Sequence, residues 1–187
     1  PCRSRGLGDV YKRQVLLIVM SCAFNKKNNV SKEKLNPNPD FKNLPLVSEI
    51  YTADPSAHIF NGKIYIYPSH DIDVAEPDTD DCGSQYSMRD YIVLSMDYIG
   101  GPVTTHEVAL DIDDVPWARR QFWAPDAAEK DGKFYLYFPT KDKNDVFKIG
   151  VAVSDNPEGP FESTKNPIEG SYSMDPVSYT HLTLPTN

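Results

Sequence analysis

Two copies of one strand–turn–strand unit constrain this chain more than anything else in it. The first runs Asp54-Pro-Ser-Ala-His-Ile-Phe-Asn-Gly-Lys-Ile-Tyr-Ile-Tyr67, the second Asp126-Ala-Ala-Glu-Lys-Asp-Gly-Lys-Phe-Tyr-Leu-Tyr137. In each, Asn-Gly or Asp-Gly separates two short runs of aromatic and branched residues. That dipeptide fits a tight hairpin turn needing positive φ, and Gly62 and Gly132 sit at the permissive position. A unit rebuilt around the same hairpin points to a modular all-β fold such as a propeller. Each copy opens on an aspartate, and a side chain just ahead of a blade's innermost strand points at the central pocket.

The hairpins extend into two blades. The first is read as strands near 57–60, 64–68, 91–96 and 104–110, the second as strands near 127–130, 134–138, 147–153 and 160–164. Ile92–Asp97 and Ile149–Asp155 are comparable third strands, each ending on aspartate and each followed by Gly-Pro. This is a second register of the repeat, independent of the hairpins. The acidic stretch from Asp71 to Gln85 lacks strand alternation and reads as a long loop, either functional or a solvated insertion. The chain has 187 residues, fewer than a complete propeller of four-stranded blades needs.

The two ends read differently from the middle. Residues 1–14, with Cys2-Arg-Ser-Arg-Gly-Leu-Gly-Asp, resemble a translated sequencing adapter, and residues 177–187 resemble the same adapter in the opposite orientation. A natural basic head and polar tail are the alternative. Val15–Cys22 is too short to span a membrane and resembles a signal-peptide remnant ending in a lipobox, with Cys22 as the lipidated residue. A buried strand is the other reading of Val15–Met20. Residues 23–46, with Asn-Pro-Asn-Pro, read as a flexible linker, which leaves 47–176 as the globular part. A lipidated Cys22 implies a bacterial cell-envelope protein, lipid-anchored on the periplasmic or outer-membrane face, with the membrane as a partner. Of three cysteines, only Cys82 then remains, so no disulfide framework forms within the chain.

The net charge is −8, which argues against nucleic acid as a partner. Carboxylates dominate the candidates for chemistry. Asp54, Asp126 and Asp175 each stand where a blade starts, and the inner strand ends of several blades converge on one axis. Carboxylates sharing a pocket push their pKa values apart, which gives one fold both an acid and a base. Each aspartate has a plainer reading as a turn or cap residue bonding its own backbone. His58 reads as structural, lying inside a strand, whereas His70 ends a strand where it can reach a pocket. Phe122 and Trp123 are either core or a stacking wall for a sugar ring. Asp71-Ile-Asp starts like a calcium loop but lacks the glycine and the ligands that follow in an EF-hand. Zinc spacing, phosphate loops and a Gly-x-Ser-x-Gly elbow are absent.

Five motifs in order carry a resemblance: Tyr51-Thr-Ala-Asp-Pro-Ser56, Asn61-Gly-Lys-Ile-Tyr-Ile-Tyr67, Phe122-Trp-Ala-Pro-Asp126, Asp155-Asn-Pro-Glu-Gly-Pro160 and Gly170-Ser-Tyr-Ser-Met-Asp-Pro176. Together they resemble glycoside hydrolase family 43. The resemblance implies a five-bladed β-propeller, about two blades of which are present, and an inverting, exo-acting glycosidase for arabinose- or xylose-containing plant polysaccharides. It implies Asp54 as general base and Asp175 as the residue that orients the general acid and raises its pKa. It also implies substrate-binding roles near Trp123 and Asp126, with that of Asp126 the least defined; His70 is added to them for its place at a strand end. The general acid, a glutamate beyond Asp175, has no counterpart in this chain, so the chain alone is expected to be inactive; with roughly half the blades absent and an open edge left unpaired, it is also expected not to fold stably. The resemblance requires no cofactor and leaves room for calcium in a full-length protein. A non-catalytic sugar-binding propeller is the alternative; Asp54 and Asp175 weigh against it, since binding alone needs no base.

Overall fold

The hairpin turns form as the dipeptides dictate. In the computed structural model, which describes residues 45–72, 83 and 86–178, Asn61 and Gly62 have φ of 52° and 76°, and Asp131 and Gly132 have 54° and 73°. Positive φ at both central residues defines the turn whose twist matches paired strands. The turns close Phe60 onto Lys63 and Lys130 onto Lys133. The head, Cys22 with its apolar run, Cys82 and residues from 179 onward lie outside the described residues, as does the 23–46 linker up to residue 44.

Two antiparallel sheets grow from these hairpins. The first is a meander of β1 (Tyr51–Phe60), β2 (Lys63–Asp71), β3 (Asp90–Met96) and β4 (Thr104–Asp111). A single 3-10 turn, Ile112–Asp114, and the short β5 (Ala118–Arg120) lead to the second sheet. There β6 (Asp126–Lys130), β7 (Lys133–Asp142), β8 (Phe147–Ser154) and β9 (Glu162–Ser163) repeat the meander, and β5 pairs with the far end of β7. The strands read from the sequence are all present. β5 is an addition to them: Ala-Arg-Arg has no alternation, and pairing of Ala118 with Asp142 holds it.

β1 and β2 run further than their local patterns allow, and the reason matters for the site. Asp54-Pro55 reads as a turn, yet β1 continues through it by a bulge between Ala53 and Ser56. Pro68 of β2 faces that interruption, between Ser69, which pairs with Ala53, and Tyr67, which pairs with Ser56. Neither proline has an N–H to give to the ladder, so the irregularity falls where both occur. Bulges of this kind re-aim a side chain, and here that side chain is Asp54.

One apolar core joins the sheets. It takes Tyr67, Tyr91 and Val93 from the first and Phe122, Leu136 and Phe138 from the second. Phe60 meets Phe134 edge-on at 5.2 Å, and Tyr91 stacks on Phe122 at 4.7 Å. Tyr67 adds a hydrogen bond to the Pro157 carbonyl at 2.7 Å. Two innermost strands, β1 and β6, are thereby set side by side, as adjacent blades require.

Candidate active site

Three aspartates meet beside an indole ring. Asp54, Asp71 and Asp175 line a cavity of about 430 Å³ with Ala53, Tyr86, Met88, Trp123 and Met174. Asp54 enters from the β1 bulge with φ of 46°. Positive φ in a residue other than glycine costs energy and collects at functional sites. Asp71 is the last residue of β2. Asp175 arrives on an irregular segment after β9, also with positive φ, 57°. That segment is tied on both sides of it. Upstream, the Ile149 N–H donates to Ser171 Oγ at 3.1 Å; downstream, Ser178 N–H and Oγ–H donate to the Asp126 carboxylate.

The like charges act on one another. Burial raises the Asp71 carboxyl above its ordinary value and the Asp54 charge adds to this, with His70 opposing. Desolvation against the cavity wall raises Asp175, and the Asp54 charge again adds. Asp54 is therefore the member whose charge both others feel.

Trp123 is held on every side. Its Nε1–H donates to the Tyr86 carbonyl at 2.9 Å, its carbonyl accepts from buried Tyr91 at 2.5 Å, and its ring packs on Phe147 at 4.6 Å. Gly83 lies against the ring with φ of 94°, and a Cβ there would come within 2.9 Å of the indole. A rigid aromatic face is what an apolar sugar face packs on.

Two residues expected at the site stand elsewhere. His70 does not line the cavity; it lies inside β2, and its Nδ1–H donates to Asp90 at 2.5 Å. Alternation along the strand turns the next residue, Asp71, toward the cavity instead. Asp126 is also absent from the lining. It is buried under the blade junction, where His58 Nε2–H donates to it at 2.7 Å and the Ala127 N–H at 2.9 Å. His58, read as structural, is so in the sense that it fixes this carboxylate. Asp71 has no place among the residues expected at the site; the strand pattern in the sequence stops near Pro68, and only pairing with Tyr51 carries β2 on to Asp71.

The model of glycosyl hydrolases family 43 matches residues 47–182. The chain belongs to this family. It is 58% identical over 137 residues to xylosidase/arabinosidase 43A of Humicola insolens, covering 72% of this chain and 42% of that protein. It is 53% identical over 133 residues to a xylosidase/arabinosidase of Bacteroides ovatus, covering 71% and 41%. Among solved structures, a family 43 β-xylosidase/α-arabinofuranosidase from a compost microbial metagenome, in complex with xylotriose, is 68% identical with a TM-score of 0.69. That match covers 71% of this chain and 40% of the other. The chain thus spans about two fifths of the length of these two relatives.

A larger hollow of about 770 Å³ lies on the second sheet, lined by Tyr135, Tyr137, Ile149 and Ile168. Glu129 is the only carboxylate among its lining residues. Among the described residues no group of three or more His, Cys, Asp or Glu side chains is placed to hold a metal ion, and no step is assigned to one.

The Asp126 network has a consequence for stability. Burial alone would raise this carboxyl, but hydrogen bonds from His58, Ser178 and Ala127 outweigh it and hold the value at about 2. An unfolded aspartate titrates near 3.9. The ionised form therefore stabilises the fold by about 2–3 kcal/mol above roughly pH 4, and this is lost as pH falls through about 2. Thermal unfolding of the full-length protein from pH 6 to pH 2 is expected to show this decline, and Asp126→Asn is expected to lower its Tm at neutral pH and flatten the acid limb.

Proposed function

We propose that the protein carrying this chain is an inverting, exo-acting glycosidase that removes xylose or arabinose units from plant polysaccharides. The observation that carries the reading is the convergence of Asp54 and Asp175 beside Trp123 in one cavity of a family 43 fold. Inversion needs one carboxylate to activate water and one acid, on the other side of the bond, to protonate the leaving oxygen. Asp54 takes the base role, since it enters the cavity from the bulge and both neighbouring carboxyls are raised by its charge. Asp175 is assigned to orienting the acid and raising its pKa by like charge. Trp123 supplies the wall for the sugar ring. The acid is assigned to a glutamate C-terminal to Asp175 in the whole protein, so the chain alone is proposed to be inactive.

The names of the xylosidase/arabinosidase relatives and the xylotriose held by one of them support the substrate class. The test is turnover of aryl β-xylosides and aryl α-arabinofuranosides by the full-length protein, with the first-formed sugar followed by NMR. Release of the sugar with inverted anomeric configuration is expected. Retention, or no turnover of either class, would overturn the reading.

A further inference from the structure

We propose that Asp71 is a substrate-binding residue of this cavity, its carboxylate accepting hydrogen bonds from hydroxyl groups of the sugar unit held next to Asp54. The inference rests on the glycosidase reading above and adds a residue and a contact to it.

The argument starts from the strand. β2 ends at Asp71, whose Cα partner is Tyr51 on β1, three residues before Asp54 and on the same side of the bulge. The strand end is anchored one residue earlier, where His70 is tied to Asp90 across to β3. An anchored strand end presents the next side chain at a defined place, and that place is the cavity wall shared with Asp54, Asp175 and Trp123.

The second observation is what Asp71 lacks. Its carboxylate is half-buried, yet no described residue hydrogen-bonds or ion-pairs with it. The other enclosed aspartates of the two sheets are satisfied: Asp90 by His70, and Asp126 by His58 and Ser178. Partly desolvated carboxylates without donors are costly. An ionised carboxylate accepts only, with two oxygens that can take two hydroxyl donors at once. Adjacent hydroxyls of a pentose present that pair of donors. The like charge of Asp54 makes a donor-free Asp71 less favourable still, so a polyol arriving in the cavity supplies donors that the described residues do not.

A base role for Asp71 fits less well. The residue that the bulge re-aims is Asp54, whereas Asp71 sits on regular strand backbone and leans on the wall. Holding the sugar and activating water are separable by the substrate used. The experiment compares the full-length protein with its Asp71→Asn variant on 4-nitrophenyl β-xyloside and on the 3-deoxy and 4-deoxy analogues. Asp71→Asn is expected to lower kcat/KM on the parent xyloside about 10- to 100-fold. Against each deoxy analogue the loss is expected to be clearly smaller, because one of the two hydroxyls that Asp71 held is already gone. A loss equal on all three substrates, or no loss, would overturn the inference.

The unmodified protein gives a check that no misfolded variant can spoil. Removal of neither hydroxyl costing it more than about 3-fold would leave Asp71 with nothing to hold. Failure of the underlying reading looks different: Asp54→Ala would then keep full turnover whatever Asp71 does.

Discussion

Asp54→Ala is expected to lower kcat of the full-length protein on aryl xylosides by about 10²- to 10⁴-fold, the range a positioned general base supplies. KM should stay within a few-fold, because the base acts on water and the sugar is held by other groups. The physical basis is the β1 bulge. Two prolines that cannot donate to the ladder, Pro55 and Pro68, meet at one level of the β1–β2 pair, and the strand yields there. Asp54 takes φ of 46° and is delivered into the cavity with Asp175 and Trp123. A small nucleophile that needs no deprotonation should bypass the loss. Added azide is expected to restore turnover in Asp54→Ala and to yield a glycosyl azide of inverted configuration. Retention of more than a tenth of the activity by Asp54→Ala would remove this residue from the base role.

Phe138→Ala is expected to be the most damaging single change to the fold, at about 3–5 kcal/mol. Phe138 is fully buried, and its ring lies 5.1 Å from Phe122, 6.1 Å from Tyr91 and 6.1 Å from Trp117. Tyr91 belongs to the first sheet and Phe138 to the second, so the cavity would open in the seam between blades. Tyr91 also holds the Trp123 carbonyl, and loosening it reaches the candidate site. Gly150 presses on the same ring from β8: a Cβ there would come within 2.4 Å of Phe138 and 2.8 Å of Trp117. Gly150→Ala should cost about 1–3 kcal/mol by overpacking, and less once Phe138 is alanine, since the clash is then gone. Urea unfolding of the full-length protein carrying the two single changes and the double change checks both statements. Additive losses would show that ring and glycine are not coupled.

Much of the architecture was legible because its causes are local. Asn61-Gly62 and Asp131-Gly132 ask for positive φ within two residues, and the aromatic and branched runs beside them ask for strand. The core strands follow from that pattern. The short β5 did not, since only its pairing with β7 makes it a strand. For the candidate site, the order of the motifs pointed to Asp54, Asp175 and Trp123, which line one cavity. The site was not legible for His70 and Asp126. One residue of strand alternation separates His70, turned to Asp90, from Asp71, turned to the cavity. Asp126 looks like Asp54 in the sequence, each opening a copy of the hairpin, yet one is clamped under the blades and the other lines the cavity.

The sequence by itself thus determined the two hairpins, the all-β meander around each and the family to which the chain belongs. Backbone preferences at Gly, Asn, Asp and Pro act over a few residues and need no partner. Only the tertiary structure decided which carboxylates share a cavity. His58 claims Asp126 from 68 positions away, a bulge turns Asp54 inward, and ties at Ser171 and Ser178 bring Asp175 to meet it. A carboxylate's role depends on what surrounds it in space, and those surroundings are assembled from strands far apart in the chain.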